Sequence, residues 1–417
     1  MIKIKHDGYS IPTIIVLGFM MFLNLNFFII SRNQGLGKAA GVVMTGVLLA
    51  LFVLMLYSGN IARYRRIFFG MAAFMFVPTF IAILVEQRGS MYIASDTTFK
   101  NETPMCHIVF TMSMIPYLLK QVLIFPAKIS NYFASFYSML IYWIVASLAF
   151  GRGWCSWVCF YGGWEDSISR LSGKTRVPIH QGNNKVRYFG FVILIFVILA
   201  SLPTMTAVYC EWLCPFRIVT EFPQVTGFRT IIIFIIMVLI FFGLVIVLPF
   251  LTRKRFQCMT FCPFGAMQSL VGKISFYKVR IDSDRCIKCK KCVNVCPTMS
   301  LSDDSIESKS GKPLMTCTMC GECMKACPVH AIDYTFCGQK KPIGGFIELK
   351  HNHFRKSTGI YGRMMSSVFR MLSELLSPRA LFIFVAYTFG MIITSGFEVA
   401  TIHRFLNLVI NGSFLIK

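Results

Sequence analysis

Eight cysteines between Cys286 and Cys327 fall into two runs of one spacing. The first is Cys286-Ile-Lys-Cys289-Lys-Lys-Cys292-Val-Asn-Val-Cys296-Pro297, and the second is Cys317-Thr-Met-Cys320-Gly-Glu-Cys323-Met-Lys-Ala-Cys327-Pro328. This C-x2-C-x2-C-x3-C-P spacing holds pairs of iron–sulfur cubes. Three thiolates wrap one cube from a tight turn, and the fourth, fixed by the proline, reaches across to the other. Cys286, Cys289, Cys292 and Cys327 are thereby assigned to one [4Fe-4S] cluster, and Cys317, Cys320, Cys323 and Cys296 to a second. Zinc knuckles and disulfide frameworks also use paired cysteines. Two copies of this particular run favour iron.

Three further pairs share a C-x3-C spacing: Cys155 with Cys159, Cys210 with Cys214, and Cys258 with Cys262. Thiols four positions apart lie on one face of a helix, so each pair offers two ligands to one centre. A single such pair in an apolar chain reads as packed small residues. Three, two of them followed by proline, read as ligands. Cys337 has no partner in the pattern and reads as structural.

The elements that must position these thiolates are membrane helices. The chain has 417 residues, is 55% hydrophobic and 14% charged, and has a mean hydropathy of +0.64. Its net charge of +24 could indicate nucleic acid, but the basic residues flank apolar runs, as in Arg63-Tyr64-Arg65-Arg66 and Arg253-Lys254-Arg255. Positive-inside topology accounts for them, and no nucleic-acid partner is expected. Cysteines in ligand spacing fit a reducing setting better than a disulfide-forming one. The first apolar run follows Lys3 and Lys5 with no small-residue cleavage site after it, and reads as a retained anchor.

Runs long enough to cross about 30 Å of hydrocarbon occur at 11–30, 39–58, 67–85, 131–150, 188–207, 230–250 and 380–400. Pro116, Lys120 and Pro126 interrupt 107–125, which reads as re-entrant. Loop charges place 59–66 and 170–187 inside and 86–106 outside. The expected fold is a polytopic α-helical membrane protein of about seven spans, with an inserted α+β domain of the two-cluster bacterial-ferredoxin type on the cytoplasmic side of the inner membrane. The expected divisions are N-terminal helices (1–106), a membrane core with the C-x3-C pairs (107–274), the ferredoxin-like domain (275–340), a basic linker or interfacial helix (341–379), and a C-terminal anchor and tail (380–417).

Gly151-Arg152-Gly153-Trp154-Cys155-Ser156-Trp157-Val158-Cys159 and Arg255-Phe256-Gln257-Cys258-Met259-Thr260-Phe261-Cys262-Pro263-Phe264-Gly265-Ala266, followed by the double run, resemble membrane-bound polyferredoxins. These are related to the quinol-dehydrogenase subunits of nitrate and nitrous-oxide respiration. The resemblance covers roughly residues 130–335. Phe160 stands where that family usually has proline. No extracytoplasmic flavin-binding domain precedes the first span, unlike in the nitrous-oxide branch. The middle pair resembles a three-pair subgroup common in anaerobes. On the charge-derived topology, Cys155, Cys159, Cys258 and Cys262 form a four-thiolate set at the inner boundary. Cys210 and Cys214 fall at the outer boundary, where Cys106 and His107 are candidates to complete an outer cluster, since imidazole can replace thiolate at iron. The expectation is therefore two clusters at least, a third on the inner set and a fourth outside.

Such a series reads as a wire for single electrons. The chain shows no nucleotide-binding glycine motif, no nucleophile elbow and no c-type haem signature; no residue is assigned to substrate chemistry. The expected role is electron transfer between a cytoplasmic donor, a soluble ferredoxin or flavoprotein, and the membrane or its outer face, within a complex of other redox subunits and with quinone as a candidate partner. The alternative is an assembly or maturation factor that reduces metal for a respiratory enzyme. Residues 360–377 have apolar residues at helical spacing, as expected of a helix on an anionic membrane surface or of a solvated linker.

Overall fold

The computed structural model describes residues 8–31, 33–86, 107–108, 111, 118–119, 127–129, 132–134, 136–179, 188–204, 208–216, 218, 227–307, 311–337, 339 and 360–415. Among these, five helices are long and apolar enough to cross a membrane. They are α1 (Ile11–Ile30), α2 (Gly35–Ser58), α3 (Ile61–Glu86), α7 (Phe228–Thr252) and α10 (Pro378–Asn411). Between α3 and α7 lie a short hairpin, β1 (Ala127–Ile129) and β2 (Tyr132–Ala134), and the helices α4 (Phe136–Phe150), α5 (Phe160–Leu171) and α6 (Phe189–Thr204). After α7 come α8 (Pro263–Val271), the strands β3 (Tyr277–Ile281) and β4 (Ile332–Phe336), and α9 (Ile360–Leu375).

One of the expected spans differs. The 131–150 run opens with a strand of the hairpin and leaves α4 only 15 residues. At 1.5 Å per residue it reaches about 22 Å, short of about 30 Å of hydrocarbon. In the 188–207 run α6 covers Phe189–Thr204, and 205–207 lie outside the described residues. The chain leaves α4 at Gly151, whose φ of 51° is open to glycine; a Cβ there would meet Ser275 Oγ at 2.8 Å. The last span is longer than its apolar core suggested: Ser377 caps it by accepting from the Ala380 N–H, and it runs on to Gly412, at φ 69°. Of the interrupted segment 107–125, only His107, Ile108, Thr111, Leu118 and Leu119 belong to the described residues.

The spans share one polar end. The Tyr9 N–H bonds the Leu56 carbonyl, tying the start of α1 to the end of α2. Gly321, between the cysteines of the second run, lies against Ile61 at the start of α3. Just beyond α7, Lys254 Nζ bonds the Asn294 and Cys296 carbonyls at 2.8 Å each. At the start of α10, Arg379 bonds Asp333 at 2.8 Å, and Phe382 stacks on Tyr334 at 4.0 Å between ring centres. The double cysteine run and its two-stranded antiparallel sheet, paired from Tyr277↔Phe336 to Ile281↔Ile332, thus rest on the ends of α3, α7 and α10. Below it, α2, α3 and α10 interlock through buried Phe52, Phe68, Phe76 and Tyr387, with the Tyr387 hydroxyl bonding the Leu48 carbonyl at 2.7 Å.

Candidate iron–sulfur sites

The two cysteine runs of the polar domain fold alike. Left-handed residues recur at matching positions: Lys288 (φ 53°) with Met319 (50°), Lys290 (57°) with Gly321 (80°), and Met299 (48°) with His330 (49°). Side chains visit this region at a cost, and here the bends turn the loop around its cysteines. A one-turn helix follows in each run, Lys291–Val295 and Glu322–Ala326. Each fourth cysteine then accepts a backbone N–H on sulfur, Cys296 from Ser300 at 3.2 Å and Cys327 from Ala331 at 3.3 Å. Such donors suit sulfurs that carry negative charge. Burial pushes the Cys317 thiol up to about 12 and the Cys320 thiol up to about 11, the latter against the lowering pull of Arg65. Loading metal therefore displaces protons from these thiols.

All described cysteines are free thiols. No three described His, Cys, Asp or Glu side chains converge on a point where a single metal ion would sit. A zinc ion needs sulfurs at about 2.3 Å, whereas a cube keeps its thiolates apart. The free thiols, the looped backbone and the N–H donors to sulfur fit cubes.

The membrane pairs are held by two segments that dip and return. From Gly151 the chain enters the helix bundle to Cys159, and α5 brings it back along α3. Phe160 stacks on Phe76 at 4.1 Å, Trp164 Nε1 bonds the Ala73 carbonyl at 2.6 Å, and Asp166 bonds Arg65 at 2.9 Å. From Arg255 the chain dips again to Cys262, and α8 returns to Gly272, beside Arg152. Cys159 and Cys262 stand at the starts of α5 and α8, and Cys262 Sγ accepts from the Gly265 N–H at 3.4 Å. Cys155, Cys159, Cys258 and Cys262 lie within electrostatic reach of one another.

Phe160 meets both Phe76 and Phe397, whereas the polar domain meets Arg66 and Phe382 on the same two helices. The rise along α3 and α10 sets Cys159 about 15–22 Å from the docked domain.

Tyr209 and Cys210 belong to a π-helical turn, Tyr209–Leu213, that ends at Cys214. The Tyr209 hydroxyl accepts from Gln257 Nε2 at 2.9 Å, and Phe216 stacks on Tyr161 at 4.1 Å. Cys214 is within electrostatic reach of Cys262. Cys210 and Cys214 therefore lie on the segment that packs against the one carrying Cys258 and Cys262. His107, expected beside them, lies instead with Nε2 3.1 Å from Cys159 Sγ, ringed by Trp154, Tyr161 and Phe264. Cys106 lies outside the described residues, and Cys337 is an exposed free thiol.

Several site residues were not legible as such. Arg255, read as a topological charge, is fully buried: it donates to Cys258 Sγ at 3.1 Å, Ser156 Oγ at 2.9 Å and the Cys155 carbonyl at 2.7 Å, and faces Glu165 at 3.9 Å. Glu165 in turn accepts the N–H groups of Gln257 and Cys258. Arg65, also fully buried, donates to the Ser156 carbonyl at 2.9 Å as well as to Asp166. Arg152 bonds the Cys258 carbonyl at 3.0 Å and acts electrostatically on both Cys262 and Cys317. Trp157 points its indole N–H at the carbonyl of Met319, 3.2 Å away, between Cys317 and Cys320. The Arg255 N–H bonds the Pro297 carbonyl at 2.8 Å. Arg152, Trp157 and Arg255 could have been found from their places inside the quoted motifs; Arg65 and Glu165 lie outside them.

A bundle of membrane-length helices that folds cysteine pairs back into its interior, capped by a doubled cubane-type run, defines a membrane iron–sulfur protein. The comparisons agree: a 4Fe-4S binding domain matches three times, at 132–178, 186–230 and 234–281, one C-x3-C pair in each, and a 4Fe-4S dicluster domain matches 278–328. The chain is 29% identical over 210 residues to a protein of Escherichia coli named for electron transport, YccM, covering 48% of this chain and 56% of that one. It is 26% identical over 188 residues to the E. coli ferredoxin-type protein NapH (44% and 62%), and 27% identical over 208 residues to an uncharacterized protein of Methanocaldococcus jannaschii (48% and 79%). The matched part thus spans little over half of the first of these relatives. No solved structure matches. The chain carries 4Fe-4S ferredoxin-type domains and is homologous to these proteins, as its resemblance to the polyferredoxins implied.

Proposed function

We propose that the chain is a membrane-embedded electron-transfer subunit, in which the ferredoxin-type domain and an intramembrane thiolate set work in series. The observation that carries this is the pair of hydrogen bonds to backbone carbonyls between them. Trp157 of the Cys155–Cys159 segment bonds Met319, and Arg255, three residues before Cys258, bonds Pro297. Each membrane motif thereby touches a loop of the same ferredoxin half, the one assigned Cys296, Cys317, Cys320 and Cys323.

In this reading Cys286, Cys289, Cys292 and Cys327 hold the outlying cluster; Cys289 is exposed, as suits exchange with a soluble donor. Cys155, Cys159, Cys258 and Cys262 hold a third, and Cys210 and Cys214, with Cys106 as a further ligand, supply thiolates beside it. The clusters, when bound, supply one-electron transfer. The protein's part is positional. Trp157 and Lys254 fix the spacing of the two sets, and buried aromatic rings keep water from the interior set. Arg152, Arg65 and Arg255 place positive charge beside thiolates, stabilising added negative charge. The basic ends at Arg63 and Arg253 favour a cytoplasmic setting for the domain in an inner membrane. Donor, acceptor and redox partners belong to this proposal, with quinone among the candidates.

The test is iron and acid-labile sulfide per chain in anaerobically purified protein. Two ferredoxin cubes and one interior cube require about 12 iron atoms. Cys258→Ser should lose about four of them while the low-temperature EPR signals of the ferredoxin pair persist. Undiminished iron in that variant would sink the interior centre. Iron above about 12, lost selectively in Cys210→Ser, would identify a fourth.

A further inference from the structure

A cavity of about 300 Å³ opens beside the second ferredoxin half, and its wall includes Cys317, Arg152, Lys273, Lys278, Arg280 and Lys312. Five of these six are cations, and no acidic side chain lines the cavity among the described residues. Two details separate it from an ordinary basic surface. Arg152 is only 2% exposed, and its hydrogen bond from Nη2 to the Cys258 carbonyl leaves Nε and Nη1 without a partner. Arg280, half-buried, has its Nε shielded and without a partner. Leaving a buried charged donor without a partner is unfavourable, so the Arg152 fork calls for an acceptor, and the Arg280 fork stands at the same cavity to share it. Lys278 is already committed to the Gly272 and Lys273 carbonyls. The free donors are therefore the two forks, with Lys273 and Lys312 beside them.

We propose that this cavity is a binding site for a phosphate group that bridges Arg152 and Arg280. Guanidinium forks match phosphate oxygens in pairs, and a phosphate can carry the two negative charges that two unpaired guanidiniums call for. The cavity exceeds a bare anion, and Leu314 and Met315 give it an apolar side, so the phosphate belongs to a larger molecule. It lies at the junction of the polar domain with the membrane helices, within reach of both phospholipid headgroups and soluble phosphate esters. Arg152 acts electrostatically on Cys317 and Cys262. An anion placed on it would offset positive charge next to both thiolate sets and make the nearby iron harder to reduce.

The binding itself does not depend on the electron-transfer reading; only the effect on potential does. The test uses the anaerobically purified holoprotein in neutral detergent. Equilibrium dialysis against radiolabelled inorganic phosphate should show saturable binding, weakened about tenfold or more in Arg280→Gln and Lys312→Gln and unchanged in Lys38→Gln, which removes a distant charge. Arg152→Gln should abolish it, but that variant may be read only where its iron content is intact. Vesicles of phosphatidylcholine with phosphatidylglycerol that compete with phosphate, where pure phosphatidylcholine does not, would identify a headgroup as the source; failure to compete would identify a soluble ester. Absence of saturable phosphate binding, or equal binding in all variants, overturns the proposal. Binding with no fall in cluster potential would leave the site standing and count instead against Cys317 as a cluster ligand.

Discussion

Five cysteines in this chain share one backbone conformation. Cys159, Cys214, Cys262, Cys296 and Cys327 all lie at φ between −61° and −83° with ψ between 103° and 115°. Four of them precede proline, which pushes the residue before it out of the helical region. Cys159 precedes Phe160 and adopts the same shape without that constraint. The family's usual proline is therefore a conformational device that this chain replaces by packing, because Phe160 is stacked on Phe76 and clamped by Phe397. This predicts an unusual ordering of variants. Phe160→Ala should lose a few kcal/mol of packing. Phe160→Pro, which loses the same ring, should be no worse and even slightly better, since the first helical position accepts proline and the backbone is already set. Thermal unfolding midpoints of the two variants decide it; a Pro variant clearly below the Ala variant would show that Cys159 is held by something other than local backbone preference. Spacing alone made the fourteen ligand-type cysteines visible. It could not reveal that Arg65 and Arg255 were interior charges, because an arginine next to an apolar run has the same letter whether it faces lipid headgroups or a buried carboxylate.

At the scale of elements, apolar run length was a good guide for helices that cross and a poor one where a strand shares the run. α1, α2, α3, α7 and α10 fell close to their expected places. α4 did not, because the start of its expected run is taken up by the hairpin strand Tyr132–Ala134, whose pairing with Ala127–Ile129 apolar run length does not register. The amphipathic stretch near 360–377 also resolved into something more definite than a surface helix. Its Glu374 accepts the Ser10 N–H at 2.9 Å, the Ser10 hydroxyl at 2.6 Å and the Thr13 hydroxyl at 2.8 Å on one oxygen, with Arg370 on the other. α9 is thus pinned to the start of α1. Burial alone would raise the Glu374 pKa, but the bonds from Ser10, Thr13 and Arg370 outweigh it and hold the carboxyl below its usual range. A depressed carboxyl contributes stability above its unfolded value, near pH 4.3, and loses it as pH falls through the lower folded value. Hydrogen exchange at the amides of residues 9–14, corrected for intrinsic rate, should therefore lose protection in that acidic window. Glu374→Gln should show low protection at neutral pH and no such step. A wild-type profile with no acid step would mean that the pin is not carried by charge.

At the scale of the whole molecule, the ferredoxin-type domain is joined to the membrane part by charge as well as by aromatic packing. Glu322, between Cys320 and Cys323, bonds Arg66 and lies 4.0 Å from Arg65 and 3.9 Å from Arg170. One carboxylate thus gathers cations from α3 and α5, the same two helices that frame the interior thiols. Its place inside the second cysteine run means that the docking contact and the proposed ligand loop are one structure, so any loosening of the dock also displaces the loop that Trp157 touches. Removing the charge takes their carboxylate from Arg66 and Arg170, while Arg65 keeps Asp166 at 2.9 Å, so the dock weakens without leaving a fully buried charge unpaired. Glu322→Gln should raise hydrogen exchange across 316–336 and slow electron passage from the ferredoxin iron to the interior iron, with the total iron unchanged. Because that substitution touches the ligand loop directly, Arg170→Gln is the cleaner companion: it weakens the same dock from the membrane side, and should reproduce the slowing in smaller measure with the ferredoxin EPR signals intact. If both variants exchange and transfer as the wild type does, the charge cluster is not what holds the two parts in register, and the contacts of Phe382 with Tyr334, Arg379 with Asp333, Trp157 with Met319 and Lys254 with Cys296 do so instead.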